Sequence, residues 1–143
     1  ILGSPFAGVL VLTLVLLVQG FVFADGGITV MGANILNMGV ISGFIGYYTF
    51  VTLRKNKLSI AVSAFMGAWL GMFISALVTA VEMYIAGTFP LVPGLTAMGL
   101  YHLIIGFIGE GLITAIVITA IGKSRPDLLE DSSLGPGSKG AKA

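Results

Sequence analysis

The fold is decided around a glycine-rich polar stretch between two long apolar runs, residues 24–39, which read ADGGITVMGANILNMG. Lipid offers no hydrogen bonds, so irregular backbone at membrane depth is tolerated only where protein or a water-filled cavity satisfies it. Polar groups inside a membrane are candidates for function. The stretch supplies Asp25, Asn34 and Asn37, and we call residues 25–34 the hinge. The alternative is a polar outer loop in which Asn34 caps a helix.

Composition places the chain among integral membrane proteins. Of its 143 residues, 57% are hydrophobic and 9% are charged, and the mean hydropathy is +1.07. Soluble domains carry about 25% charged residues. We predict one transmembrane domain over residues 1–123, followed by a Pro-, Gly- and Ser-rich, disordered cytoplasmic tail over residues 124–143. The sequence contains no cysteine, which excludes disulfides, thiolate metal sites and cysteine nucleophiles.

Four segments are long and apolar enough to cross a bilayer, which takes about 20 residues. They cover residues 5–24, 35–53, 58–86 and 95–121. Before the last of them, Gly87–Gly94 contains two prolines and two glycines, which we expect to keep that stretch out of a helix. The predicted fold class is therefore an all-α, polytopic bundle of transmembrane helices.

Basic residues indicate the direction of the four spans. They lie between the second and third spans, in Arg54–Lys57, and after the fourth span, at Lys123 and Arg125. Lys and Arg mark the cytoplasmic side of a membrane protein. Two crossings separate the clusters, so both are predicted to lie inside. Both ends of the chain are then cytoplasmic, with the hinge and residues 87–94 on the outer side.

Small residues repeat every four positions along the third span, at Ser63, Gly67, Gly71, Ser75 and Thr79. Such a row lets two helix backbones approach closely in lipid. It favours packing between helices of this chain, and docking onto a partner membrane subunit is the alternative. Large residues off the row, which we expect to face lipid or neighbouring helices, are Phe65, Trp69 and Phe73.

Two ionisable residues lie inside the fourth span. His102 is the only histidine of the chain, and Glu110 follows eight residues later. In a straight α-helix the two lie about 12 Å apart along the axis and about 80° apart around it. They can line one cavity, on the path of a metal ion, but cannot both hold one ion directly. The alternatives are a histidine hydrogen-bonded to another helix, a Glu110 paired with a hydroxyl or amide, and, for Glu82 in the third span, contact with interfacial water.

No catalytic or phosphate-binding pattern occurs in the sequence. It contains no Gly-x-Ser-x-Gly elbow, no His-Glu-x-x-His pair and no Gly-x-x-x-x-Gly-Lys loop. A single histidine gives one possible general base and at most one imidazole ligand. We therefore predict a protein that is not an enzyme, since the missing nucleophile and base disfavour a membrane-embedded hydrolase.

Three segments of the chain resemble the CbiM/NikM family, the substrate-capture subunits of cobalt and nickel energy-coupling-factor transporters. They are residues 23–38 (FADGGITVMGANILNM), 102–114 (HLIIGFIGEGLIT) and 125–129 (RPDLL), and the similarity covers most of residues 1–130. The resemblance implies uptake of Co²⁺ or Ni²⁺ across a prokaryotic cell (inner) membrane, for example for cobalamin synthesis. Nitrogen ligands suit both ions.

The metal ligands of that family have no counterpart in this sequence. The family holds the ion through its amino terminus, a Met-His start and a histidine in a Gly-Thr-Ser-Gly-His-like segment. The resemblance therefore implies primary ligands upstream of Ile1, a chain that forms the last four of seven spans, and no metal or cofactor held by this chain alone. The residues expected to support the ligands or line the path of the ion are Asp25, Asn34, Asn37, His102 and Glu110.

The resemblance also implies partners. They are a membrane coupling (T) subunit, a cytoplasmic pair of ATPases and a small accessory membrane subunit, and no nucleic acid is among them. The absence of an ATP-binding motif fits this division of labour. The alternative function is a structural or assembly subunit of a membrane complex without metal binding, for which the rows of small residues would suffice.

Overall fold

Four long helices and one short helix make up the chain in the computed structural model, which describes residues 3–24 and 26–130. Helices α1 to α4 are Pro5–Val22, Ile28–Lys55, Ile60–Ile85 and Leu91–Ser124, and the short α5 is Asp127–Glu130. Each of the first four is long and apolar enough to cross a membrane. Within the described ranges no β-strand occurs. The predicted all-α fold with four spans is confirmed.

Helices α1 and α3 begin at serine caps. The Ser4 hydroxyl accepts a hydrogen bond from the N–H of Ala7 at 3.2 Å, and Pro5 occupies the first turn. The Ser59 hydroxyl accepts one from the N–H of Val62 at 3.3 Å. A serine at this position satisfies an N–H that has no partner within the helix. Both helices therefore start where the sequence supplies such a cap.

Helix α2 begins at Ile28, seven residues before the predicted start at residue 35. Gly26 and Gly27 adopt φ values of 77° and 70°, a region that glycine enters at little cost, so the chain turns within two residues. The side-chain amide of Asn34 donates a hydrogen bond back to the Gly26 carbonyl at 3.2 Å. The alternative in which Asn34 caps a helix is wrong, because α2 begins at Ile28 and Asn34 therefore lies inside it.

Helix α4 begins at Leu91, so the expectation that all of residues 87–94 lie outside a helix is wrong. Pro93 is in the first turn, where backbone N–H groups have no partner within the helix, and it removes no hydrogen bond there. The N–H of Gly94 donates to the Pro90 carbonyl at 3.0 Å. The turn between α3 and α4 is correspondingly short and uses Gly87 at a φ of 69°.

Helix α3 is the centre of the bundle. It packs against α2 on one side and α4 on the other, and α1 packs against α2. The buried residues of α3 include Ser63, Gly67, Gly71 and Ser75, which recur every four positions. A Cβ atom on Gly67 would lie 2.7 Å from the Gly46 carbonyl oxygen, and one on Gly71 would lie 2.7 Å from the Ser42 carbonyl oxygen. The row of small residues therefore joins two helices of this chain, as the favoured prediction states.

The aromatic residues of α3 face α4. The rings of Phe65 and Trp69 meet Phe107 edge to face, with centroids 4.6 Å and 5.8 Å apart. A Cβ atom on Gly111 would lie 2.7 Å from the Phe65 ring, so this glycine makes room for it. Of the two expectations for these aromatic residues, contact with a neighbouring helix holds for Phe65 and Trp69.

After α4 ends, the chain turns back and the short helix α5 packs against the bundle. Arg125 forms an exposed ion pair with Asp127 at 2.7 Å, and this hydrogen bond lowers the pKa of the Asp127 carboxyl. Leu129 packs against the buried cluster of Phe50, Ala64 and Ile118. Residues 124–130, which the sequence places in the tail, are thus largely helical, and residues 131–143 lie outside the described residues.

Candidate polar cavity within the helix bundle

Polar side chains from three helices meet at one cavity. It lies among α2, α3 and α4 and has a volume of about 330 Å³. Its polar lining residues with uncharged amide or hydroxyl groups are Asn34, Asn37, Ser75, Thr79 and Tyr101, and its ionisable ones include His102 and Glu110. Three methionines, Met38, Met72 and Met98, also line it. Convergent polar groups in an apolar bundle identify this cavity as the candidate site.

Four of the five predicted site residues line this cavity, namely Asn34, Asn37, His102 and Glu110. The fifth, Asp25, lies outside the described residues. His102 and Glu110 share one cavity, as their spacing predicted, and Asn34 and Asn37 present their side chains to the same space. The role of these residues in metal handling stays a prediction.

Asn37 is the most buried of the four, with 3% of its surface exposed. Its amide nitrogen donates a 2.6 Å hydrogen bond to the carboxylate of Glu82 on α3. Its carbonyl oxygen Oδ1 is buried and has no partner. Leaving a buried acceptor unpaired costs about 1–3 kcal/mol. Glu82 is only half-buried, so the expectation that it reaches interfacial water stays a prediction beside this contact. Asn37 keeps one acceptor without a partner.

His102 is bonded to its own helix. Its Nδ1 lies 3.0 Å from the Met98 carbonyl oxygen, and because a carbonyl only accepts, Nδ1 carries the proton. Within the described residues His102 makes no hydrogen bond to another helix, so the alternative of such a bond is not found there. In the neutral ring this leaves the lone pair of Nε2 available. A histidine oriented by a carbonyl through one nitrogen is the usual arrangement of an imidazole that binds through the other.

The Glu110 carboxylate has no hydrogen bond or ion pair within the part of the chain that the structure describes. The expected pairing with a hydroxyl or amide is therefore wrong. Its Oε2 lies 3.5 Å from the position that a Cβ atom on Gly106 would take, so Gly106 leaves space beside the carboxylate. Glu110 thus faces the cavity with its full capacity to accept hydrogen bonds or to contact a cation.

Both Asn37 and Glu110 lie in π-helical segments, Ile35–Ile41 in α2 and Phe107–Leu112 in α4. Such widened turns are rare and are frequently found at functional sites. At the start of the second segment the N–H of Phe107 donates to Ile104, and the Leu103 carbonyl accepts instead from the Trp69 indole at 3.2 Å. Trp69 thereby holds the backbone just before the segment that carries Glu110.

The sequence analysis did not select several residues that line the cavity. Ser75 and Thr79 belong to the row of small residues and were assigned to packing, although they also face the cavity. Met38, Met72 and Met98 carried no signal, because methionine is an ordinary apolar residue in a membrane helix. One signal could have found Ser75 and Thr79. They are two hydroxyl residues at one end of the row, inside an otherwise apolar span.

The described side chains that bring a carboxylate to the cavity are not balanced by any Lys or Arg. Among the described residues no Lys or Arg lines it, whereas Glu110 lines it directly and Glu82 is bonded to the lining residue Asn37. Among the described residues no group of three or more His, Cys, Asp or Glu side chains is close enough to chelate a metal ion. The arrangement can therefore attract a cation but cannot enclose a bare one with strong ligands.

Four helices long and apolar enough to cross a membrane, three of which enclose a polar cavity, define a polytopic membrane protein with a candidate site inside its helix bundle. Residues 1–128 match the family described as cobalt uptake substrate-specific transmembrane region, CbiM. The chain belongs to that family, and the resemblance seen in its motifs is confirmed.

Curated relatives and solved structures agree with this assignment. The chain is 40% identical to the putative fused nickel transport protein NikMN of Archaeoglobus fulgidus, over 93% of this chain and 45% of that protein. It is 33% identical to the cobalt transport protein CbiM of Geobacter sulfurreducens, over 90% and 39%. A crystal structure of a transition metal transporter superposes with a TM-score of 0.77 at 32% identity, over 90% and 63%. The chain spans about half the length of the curated relatives it matches.

Proposed function

We propose that this chain is the membrane-embedded part of a substrate-capture subunit, which takes up Co²⁺ or Ni²⁺ within an energy-coupling-factor transporter. The observation that carries the proposal is the family match over residues 1–128, together with relatives named as nickel and cobalt transport proteins. The metal ion is the substrate, and the chain itself catalyses no reaction. In this proposal the four spans are the last four of seven.

The polar cavity and the hinge give the proposal a physical basis in this chain. The hinge turns at Gly26 and Gly27, is closed by Asn34, and leads directly to Asn37 in the cavity wall. We infer that residues 26–34 of the hinge pack beneath the part of the protein that captures the ion, and a contribution of Asp25, which lies outside the described residues, stays a prediction. Hydrogen bonds from the hinge then hold the capturing ligands in place without coordinating the ion.

The energy for uptake is proposed to come from other subunits. The sequence has no ATP-binding motif, so hydrolysis falls to a cytoplasmic ATPase pair, and a membrane coupling subunit transmits the resulting movement. A small accessory membrane subunit completes the assembly. The basic residues at the ends of α2 and α4 support an orientation with both ends of the chain inside a prokaryotic cell membrane.

No observation favours the alternative of a structural subunit without metal binding. That alternative rested on the rows of small residues. The glycines of the row on α3 instead contact α2 at distances that exclude any other partner from that face.

The test is uptake of radiolabelled Co²⁺ and Ni²⁺ by cells that express the complete transporter. We expect accumulation of one or both ions above that of cells lacking the gene for this chain. A transporter with an inactive ATPase subunit is the matched control and should accumulate neither ion. Equal accumulation with and without this chain would contradict the proposal and favour a structural subunit.

A further inference from the structure

We propose that residues 125–130 form a strap, anchored by Leu129, that joins the ends of α2, α3 and α4 at the basic end of the bundle. The basic end is the one at which Arg54 and Lys123 lie. Residues 125–129 (RPDLL) are one of the three segments that carry the family resemblance, and none of them is among the residues that line the polar cavity. The inference depends neither on a metal ion nor on the proposed function.

The reversal of the chain after α4 is built into the sequence. Arg125 leaves the helical conformation, with φ of −140° and ψ of 68°, because the proline that follows disfavours a helical residue before it. The N–H of Leu128 then donates to the Arg125 carbonyl at 3.2 Å. The N–H of Leu129 donates to the Pro126 carbonyl at 3.0 Å. These two backbone hydrogen bonds set the direction of α5 relative to α4.

Leu129 contacts parts of the chain that are distant in the sequence. It packs against a buried cluster with one residue from each of three helices, namely Phe50 of α2, Ala64 of α3 and Ile118 of α4. Its Cδ1 atom lies 2.9 Å from the position that a Cβ atom on Gly122 would take, so Gly122 leaves space for the leucine. Every contact on which the strap depends is therefore formed within the described residues.

The leucine contact holds the strap, and the ion pair contributes little. Arg125 and Asp127 are two residues apart within the strap, and 62% and 59% of their side chains are exposed. Such exposed pairs add little stability, and this one reaches no other helix. The side chain of Leu129 instead covers a cluster shared by three helices, and burial of apolar surface is the larger effect. Truncation of Leu129 should therefore release the strap, whereas neutralisation of Asp127 should not.

Helix α4 gains a second attachment through the strap. The π-helical segment Phe107–Leu112 interrupts the helix, and only 12 residues, Ile113–Ser124, follow it. These residues pack against α3, and the cluster beneath the strap also includes Phe50 of α2. A helix as short as α5 has little stability of its own, so the strap opens at a lower cost than the bundle. Its release should loosen the ends of α4 and α2 together.

The experiment is hydrogen–deuterium exchange of the complete protein in detergent micelles, read by mass spectrometry of peptides from this chain. In Leu129→Ala, residues 113–124 of α4 and residues 48–55 of α2 should exchange roughly tenfold faster than in the parent protein. The increase in α2 decides the question, because a terminal helix that only frays would change residues 124–130 alone. Unchanged exchange at the end of α2 would overturn the strap.

Two matched variants and one internal reference complete the experiment. Leu128→Ala removes the same side chain one position earlier, where 41% of it is exposed, and Asp127→Asn removes the ion pair. Both should leave exchange at the end of α2 within about twofold of the parent protein. An equal increase in Leu128→Ala would contradict the role of Leu129 as anchor. Residues 67–79 of α3 should be unchanged in Leu129→Ala, and faster exchange there would mean that the leucine supports the whole bundle and that no local strap exists.

Discussion

Replacing Gly67 by alanine should force α2 and α3 apart, because the two backbones touch at this residue. An added Cβ atom would lie 2.7 Å from the Gly46 carbonyl oxygen and 3.4 Å from the Cβ atom of Phe50. Ordinary contacts of a Cβ atom begin at 3.4 Å, so the helices must separate locally by about 0.7 Å. The obstacle is backbone, which cannot rotate away as the end of a side chain can.

Overpacking of this kind costs about 1–3 kcal/mol. Alanine also favours a helix over glycine by up to about 1 kcal/mol, which masks part of that loss. Gly8→Ala in α1 is the matched control, since nothing lies within 4 Å of a Cβ atom at Gly8. Both variants gain the same helix propensity, so the difference between them isolates the overpacking. We expect Gly67→Ala to be less stable than Gly8→Ala by about 1–3 kcal/mol.

The assay is reversible unfolding in mixed micelles with increasing dodecyl sulfate, followed by the fluorescence of Trp69, the only tryptophan of the chain. Gly46→Ala should be milder than Gly67→Ala, because its Cβ atom would lie 3.1 Å from the Gly67 carbonyl oxygen. Gly46→Ala and Gly67→Ala disturb the same contact between α2 and α3. The double variant should therefore lose less stability than the sum of the losses in the two single variants. Equal stability of Gly67→Ala and Gly8→Ala would refute the packing of α3 on α2.

Four further outcomes are expected from other parts of the fold. Gly111→Ala, which meets the Phe65 ring at 2.7 Å, should lower stability in the same assay, whereas Gly109→Ala, with open space around it, should not. Trp69→Phe should lose the indole hydrogen bond to α4, worth about 1 kcal/mol, and show faster amide hydrogen exchange around the π-helical segment of α4. Asn34→Ala in the complete transporter should reduce metal uptake roughly 10–100-fold without changing membrane insertion, as judged by protein in the membrane fraction. In an NMR titration the Asp127 carboxyl should show a pKa below its usual value, because its ion pair favours the charged form. Any stability from this pair is present above the usual pKa and declines as the pH falls through the lowered one.

Much of the candidate site was predictable because a polar residue in an apolar helix is conspicuous in the sequence. Asn34, Asn37, His102 and Glu110 stand out against their neighbours, and the cavity contains all four. Their hydrogen-bond partners were not predictable. The bond between Asn37 and Glu82 joins residues 45 positions apart, so no local pattern indicates it. The spacing rule used for the sequence assumes a straight α-helix, whereas Asn37 and Glu110 lie in π-helical turns.

The sequence by itself determined the class of fold, the number of spans and the row along α3. The fold class and the number of spans follow from hydropathy, and the row follows from the spacing of small residues. Both are local properties of the sequence, because lipid places the same requirements on every helix. Tertiary structure alone decided the helix starts at Ile28 and Leu91 and the contact of Gly67 with Gly46. It also decided which polar atoms of the cavity remain unpaired. Those features depend on how closely separate helices approach, and a difference of a few tenths of an ångström there determines whether a side chain fits or a hydrogen bond forms.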